Sequence, residues 1–235
     1  MSLPIHLVTG ATSGIGQATA KLLVEQGKRV VGVGRSLEKL PEGVEAAQID
    51  LREVSAIKNF FQSLADRNES IACLVNCAGL ALSARISNGD PDDWRRMWEV
   101  NVHALALCCQ CGLPLMEEDG LIVNVSSQSG HRVPGAGGFY AATKFAVRAI
   151  TEALRKELRA AGRNVRVGAF SPGFVDTPIL RDYLCDNPDR EQQLRDAKAL
   201  LSPAAAASLI VTMINQPPEV EVGDILVRAR GQASV

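Results

Sequence analysis

A chain of 235 residues, 46% hydrophobic and 22% charged, has enough apolar material for one large buried core and no need of a second domain. Its 25 basic side chains stand against 26 acidic ones, which removes the electrostatic footprint of a nucleic-acid or anionic-membrane binder. No run approaches the roughly 18 uninterrupted apolar residues of a membrane span, and the opening MSLPIHLVTG lacks a signal-like pattern, so a cytoplasmic protein is expected.

Strand and helix patterns alternate along the whole chain. The first strand, IHLVT at 5–9, runs into TGATSGIG and an amphipathic helix at 15–26. Glycines at 10, 14 and 16 permit a tight turn and close approach of a ligand, while the free N–H groups and dipole of the helix favour a phosphate. The spacing is Gly-x-x-x-Gly-x-Gly rather than the commoner dinucleotide fingerprint Gly-x-Gly-x-x-Gly. Gly10, Thr12, Ser13, Gly14, Ile15 and Gly16 are the candidate cofactor residues here.

The second strand, 29–34, ends in VGVGRS. An NAD-binding chain is expected to place an acid at this end, against the ribose hydroxyls. Gly34 stands there instead and Arg35 follows, with Ser36 beside it; a guanidinium binds a 2'-phosphate that an acid would repel, so NADP(H) is expected over NAD(H). Further strands are expected at 44–49, 72–76, 120–126, 165–170 and 224–228, and further helices at 53–67, 92–117, 139–161 and 203–215. Seven strands alternating with helices imply an α/β fold with a Rossmann-type, doubly wound, parallel sheet covered on both faces, in a single domain over 1–235. A stretch at about 174–200, charged and carrying two prolines, breaks the alternation and reads as an insertion near the carboxyl edge of the sheet, where such folds bind ligands.

In GGFYAATKFAVRAITEALRKELR, Tyr140 and Lys144 lie one helical turn apart and so emerge on one face. A phenol in water titrates near pH 10, and an adjacent cation favours its ionised form; moving it down by roughly 2 to 3 units takes on the order of 3 to 4 kcal/mol. Such a tyrosine could exchange a proton near neutral pH. The pair alone is a weak signal, since it arises by chance in many helices.

Taken in order, TGATSGIG, NCAG at 76–79, Asn101, NVSS at 124–127, Tyr140-x-x-x-Lys144 and SPGFVDT at 171–177 closely resemble the short-chain dehydrogenase/reductase family, over nearly the whole chain. GHRV after the serine motif and TEALRKELR after the lysine resemble most the NADP-dependent group containing a vertebrate 17-beta-hydroxysteroid/3-ketosteroid reductase and insect farnesol dehydrogenases; bacterial NADP-dependent 3-hydroxy acid dehydrogenases are a more distant likeness. The resemblance implies that Tyr140 is the acid–base residue, that Lys144 lowers its pKa and holds the nicotinamide ribose, and that Asn101 supports a water relay to the lysine. Two serines compete for the carbonyl; Ser127, thirteen residues before Tyr140, has the family interval, which Ser126 lacks. By the same resemblance Asp50 and Leu51 hold the adenine, Asn76, Ala78 and Gly79 line the adenosine side, and Pro172, Gly173, Val175 and Thr177 enclose the nicotinamide. Cys77 departs from the family, many members of which have asparagine there.

The implied function is an NADP(H)-dependent oxidoreductase moving hydride between the nicotinamide and a carbonyl or alcohol. Phe174, Val175, Ile179, Leu180, Tyr183 and Leu184 suggest a lipophilic substrate. A dehydrogenase of small 3-hydroxy acids, with Arg181 as the cation, is one alternative, and a non-catalytic NADP(H) sensor is another. The substrate walls are expected from 174–200 and from loops around Leu80 and Arg132, and His131 is the histidine nearest that cleft. Six cysteines read as reduced packing residues rather than a disulfide or zinc framework. A homodimer or homotetramer is expected, joined through the helices at 92–117 and 139–161.

Overall fold

The computed structural model describes residues 3–82, 85–134, 138–185 and 187–232. Gly137, before the tyrosine motif, and position 186 of the 174–200 stretch lie outside the described residues.

Seven parallel strands form one sheet: β1 (Ile5–Thr9), β2 (Val30–Gly34), β3 (Glu45–Gln48), β4 (Ile71–Asn76), β5 (Met116–Val125), β6 (Arg166–Pro172) and β7 (Asp224–Val227), in the order β3-β2-β1-β4-β5-β6-β7. The order reverses direction between β1 and β4, and a crevice at the carboxyl ends of the strands follows from that reversal. Period-two alternation sorts the side chains. Ile5 and Leu7 of β1, Leu74 of β4 and Ile122 of β5 join one core with α2 (Val54–Asp66), α4 (Leu105–Gly112) and α5 (Gly138–Ala160). Val8, Val75, Leu121 and Val123 point the other way, into a second core with α1 (Gly14–Glu25) and α8 (Pro203–Ile214). Both faces of the sheet are therefore covered, as the continuous apolar strands require.

Two departures from the sequence expectation have local causes. The helix expected over 92–117 is three pieces: α3 (Pro91–Trp98), a π-helical turn at Glu99–Ala104, and α4, after which Pro114 sits in a short 3-10 turn. β5 starts at Met116 rather than 120, because the β4–β5 register slips between Ile71 and Cys73 and pairs Ile71 with Met116. The stretch at 174–200 is also more regular than expected. Its two prolines are the first residues of α6 (Pro178–Tyr183) and α7 (Pro188–Asp196). At that position the fixed φ and missing N–H of proline suit a helix start, so the residues that looked like breakers are initiators.

Candidate active site

A cavity of about 570 Å3 opens at the carboxyl ends of the strands. At one end it is lined by Gly10, Thr12, Ser13, Gly14, Ile15 and Gly16, the six candidates of the first turn. Gly10 has φ +69°, and a Cβ there would lie 2.8 Å from Cα of Ala78, so the turn closes only around glycine. Thr9 fixes the other side of that contact: its Oγ1 accepts from the backbone N–H of both Cys77 and Ala78 at 3.1 Å. The first turn of α1 holds no acid, and Ser13 makes no side-chain cap, which leaves N–H groups and a positive dipole end aimed at the cavity. This arrangement suits the diphosphate of a dinucleotide.

Arg35, Asp50, Leu51, Ala78 and Gly79 line the same end, whereas Ser36 does not. Gly34 has a packing reason as well as a coenzyme one: a Cβ there would collide with the side chain of Thr12. The missing acid is thus partly a consequence of the turn above it, and the coenzyme argument rests on Arg35, which is exposed and has no ion pair or side-chain hydrogen bond among the described residues. Asp50 accepts from Arg52 at 2.5 Å, and these hydrogen bonds hold its carboxyl down at about 2.

The expectation that Asn76 lines the cavity is corrected. Its side chain is buried and turned into the core, where Nδ2 donates to Asn124 Oδ1 at 2.9 Å; Asn124 in turn donates to Thr151 Oγ1 at 3.0 Å. Asn101 also stays out of the cavity lining. It sits in the π-helical turn with no exposed surface, accepts from Leu80 N–H at 2.7 Å, and donates to Leu80 C=O at 2.8 Å and to Thr143 Oγ1 at 3.1 Å. Thr143 Oγ1 donates to the Tyr140 carbonyl at 2.7 Å. The Asn101 side chain is therefore fully occupied in clamping the Leu80 loop to the first turns of α5.

Ser127, Tyr140 and Lys144 meet at the far end of the cavity, with Pro172, Gly173, Val175 and Thr177 around them. Ser127, not Ser126, is the serine that lowers the Tyr140 hydroxyl; Ser126 Oγ instead donates to the Lys144 carbonyl at 3.1 Å, and Ser127 Oγ accepts from Ser129 N–H at 3.1 Å. Lys144 Nζ lies 5.8 Å from the Tyr140 ring centroid and donates to Val125 C=O at 2.9 Å. Burial dominates both titrations. It pushes the Tyr140 hydroxyl up to about 12 against the opposing influence of Ser127, and it lowers Lys144 to about 8. The expected lowering of the tyrosine by the lysine is not what this geometry gives, because burial of the phenol dominates.

Several contributors escaped the sequence reading. Gln232 lines the cavity from near the far end of the chain; its Nε2 donates to Gln128 Oε1 at 2.5 Å and its Oε1 accepts from Phe174 N–H at 3.1 Å. A glutamine after the last strand carries no motif that could have pointed to it. Tyr183 of α6, one of the apolar residues expected here from the sequence, packs on Tyr140 with ring centroids 5.6 Å apart. Arg181 and His131 are not among the lining residues: Arg181 is exposed and lies 3.8 Å from Glu191, and His131 Nε2 lies 3.1 Å from Asp224 on β7. Cys77 lines the cavity with its thiol pushed up to about 12 by burial.

The profile of the family described as short chain dehydrogenase matches residues 4–187. Dehydrogenase/reductase SDR family member 11 of Bos taurus is 35% identical over 248 residues, covering 98% of this chain and 97% of the relative. An uncharacterised oxidoreductase of Staphylococcus aureus is 35% identical over 235 residues, covering 95% of this chain and 96% of its own. Among solved structures, the closed form of a serine dehydrogenase complexed with NADP+ superposes with a TM-score of 0.89 at 29% identity, over 98% of this chain and 96% of that one. The seven-stranded parallel sheet accords with the structural likeness, and the chain belongs to the short chain dehydrogenase family of oxidoreductases.

Proposed function

We propose that the protein is an NADP(H)-dependent reductase of carbonyl compounds with an apolar body, working reversibly on the corresponding alcohols. The observation that carries this reading is a single cavity with an uncapped helix start and the unpaired Arg35 at one end, and Ser127 and Tyr140 beside Lys144 at the other. NADPH, when bound, supplies a hydride to the carbonyl carbon and leaves as NADP+. Arg35 would meet the 2'-phosphate, and the α1 N-terminus the diphosphate. The serine dehydrogenase neighbour, solved with NADP+, supports this choice of cofactor.

Ser127 and Tyr140 would donate hydrogen bonds to the carbonyl oxygen as negative charge develops on it, and Tyr140 would then pass its proton to that oxygen. A buried phenol that keeps its proton at neutral pH suits the donor role of the reduction direction. Lys144 has one of its three protons committed to Val125, which leaves donors for a ribose hydroxyl. Asn101 would act through position, by holding the Leu80 loop against α5. The walls from 174 to 200 place Leu180 and Tyr183 beside the reacting end and favour an apolar substrate. Trp98 and Phe145, 45% and 40% exposed on α3 and α5, offer the apolar surface for assembly as a homodimer or homotetramer in the cytoplasm.

The test is steady oxidation of NADPH, followed at the nicotinamide absorbance, with ketones and aldehydes of graded size. Turnover that rises with apolar size supports the reading. NADPH binding with no turnover across the whole panel would replace it with that of a sensor.

A further inference from the structure

We propose that the substrate carries an anionic group, most simply a carboxylate, held by Arg132 at the catalytic end of the cavity. This rests on the reductase reading and narrows its substrate to oxo compounds that join an apolar stretch to an acid.

Among the described residues, the arginines lining the cavity are Arg35, Arg52, Arg96 and Arg132. Two are neutralised from within: Arg52 by Asp50 and Arg96 by Asp93. Arg35 and Arg132 have neither an ion pair nor a side-chain hydrogen bond with any described residue. Arg35 has an anion waiting for it in the proposed cofactor. Arg132 has none, although it is half-buried and lines the cavity, so its donors are open to an anion that arrives with the substrate.

Position separates the two roles. Arg35 follows β2 and Arg132 follows β5, three strand spacings away across β1 and β4, or about 14 Å. Arg132 belongs to the loop that starts at Ser127, and its backbone N–H is tied to Gln128 C=O at 3.3 Å, so its stem is fixed relative to the serine that would hold the carbonyl. The planar fork of an arginine matches a carboxylate with two parallel hydrogen bonds. Leu180 and Tyr183 supply the apolar surface on this side. Asp182, an acid lining the same side, is exposed on α6 and is not within ion-pair distance of Arg132. Arg181, the cation suggested by the sequence, faces Glu191 outside the cavity lining and cannot fill this role.

The experiment compares kcat/KM with NADPH for pairs of oxo acids and their methyl esters, over chains of graded length, for the wild-type protein and for Arg132→Leu, Arg132→Lys and Arg181→Ala. The wild type should prefer the acid over its ester by at least about tenfold at the best chain length, as loss of a charge-assisted hydrogen bond implies. Arg132→Leu should bring the ratio to about one through KM, Arg132→Lys should keep part of it, and Arg181→Ala should retain it. A wild-type ratio of one, or a preference that survives in Arg132→Leu, overturns the inference while leaving the reductase reading intact. Failure of the wild type to reduce either member of every pair overturns both.

Discussion

The two ends of the cavity are built by different means. The glycine turn hangs from β1, whose residues are all buried, and from α1, whose Ala20 and Leu23 have no exposed surface within the larger core of that face. The opposite wall, α6 and α7, rests on a separate small cluster of Leu180, Leu194 and Ala199, backed by Phe174, Leu184 and Leu200. It is held down by Arg195, which bonds Asp176 and Glu191 at 2.7 Å. The part that would hold an invariant cofactor is thus fused to the main core, and the part that would choose a substrate is stabilised on its own. Such a wall can open, or vary in sequence, without unfolding the sheet.

Damage at the two ends should therefore read out differently. The largest effect is expected from Gly10→Val, which forces a β-branched residue into φ +69° and drives Cβ into Ala78. NADPH affinity, measured by fluorescence titration, should fall by at least about 100-fold, whereas an unchanged affinity would mean the turn does not carry the cofactor. Arg35→Ala should cut the preference for NADPH over NADH by about 10- to 100-fold, the worth of a charge-assisted contact; equal losses for both coenzymes would remove the 2'-phosphate assignment.

At the other end, Leu194→Ala should cost roughly 2 kcal/mol, confined to the small cluster. Hydrogen exchange should then quicken by about 30-fold in α6 and α7 while the β1 and β4 amides stay protected. Global loosening instead would deny that the wall is a separate unit. The smallest effect concerns Lys144, whose folded pKa of about 8 lies below the ordinary value of 10.5. Between those values the unfolded chain binds the extra proton, so the stability of the wild type should gain on that of Lys144→Met as pH rises from 8 toward 9.5, by on the order of 1 kcal/mol. The comparison stops there because Tyr140, raised to about 12, works in the opposite sense above pH 10.

Legibility in the sequence followed the same division. The β1–α1 turn announced itself because glycine spacing and strand-to-helix context are local, and all seven strands could be found from short apolar runs. The wall was misread as irregular because Pro178 and Pro188 look alike whether they break a helix or begin one. The clamp made by Asn101 depends on Leu80 and Thr143, residues 21 and 42 positions away, and that of Gln232 on Gln128, 104 positions away. No spacing rule spans such distances. The state of Tyr140 was also hidden, since a turn of helix shows that Lys144 is near but not how far burial raises the phenol.

The central claim is that the Tyr140 proton does chemistry in a cavity that holds NADPH independently of it. The direct measurement is a single-turnover comparison of wild type and Tyr140→Phe, with NADPH affinity titrated on the same samples. The account predicts a reduction rate lower by at least about 100-fold with NADPH binding preserved; a variant that keeps most of its rate would contradict it.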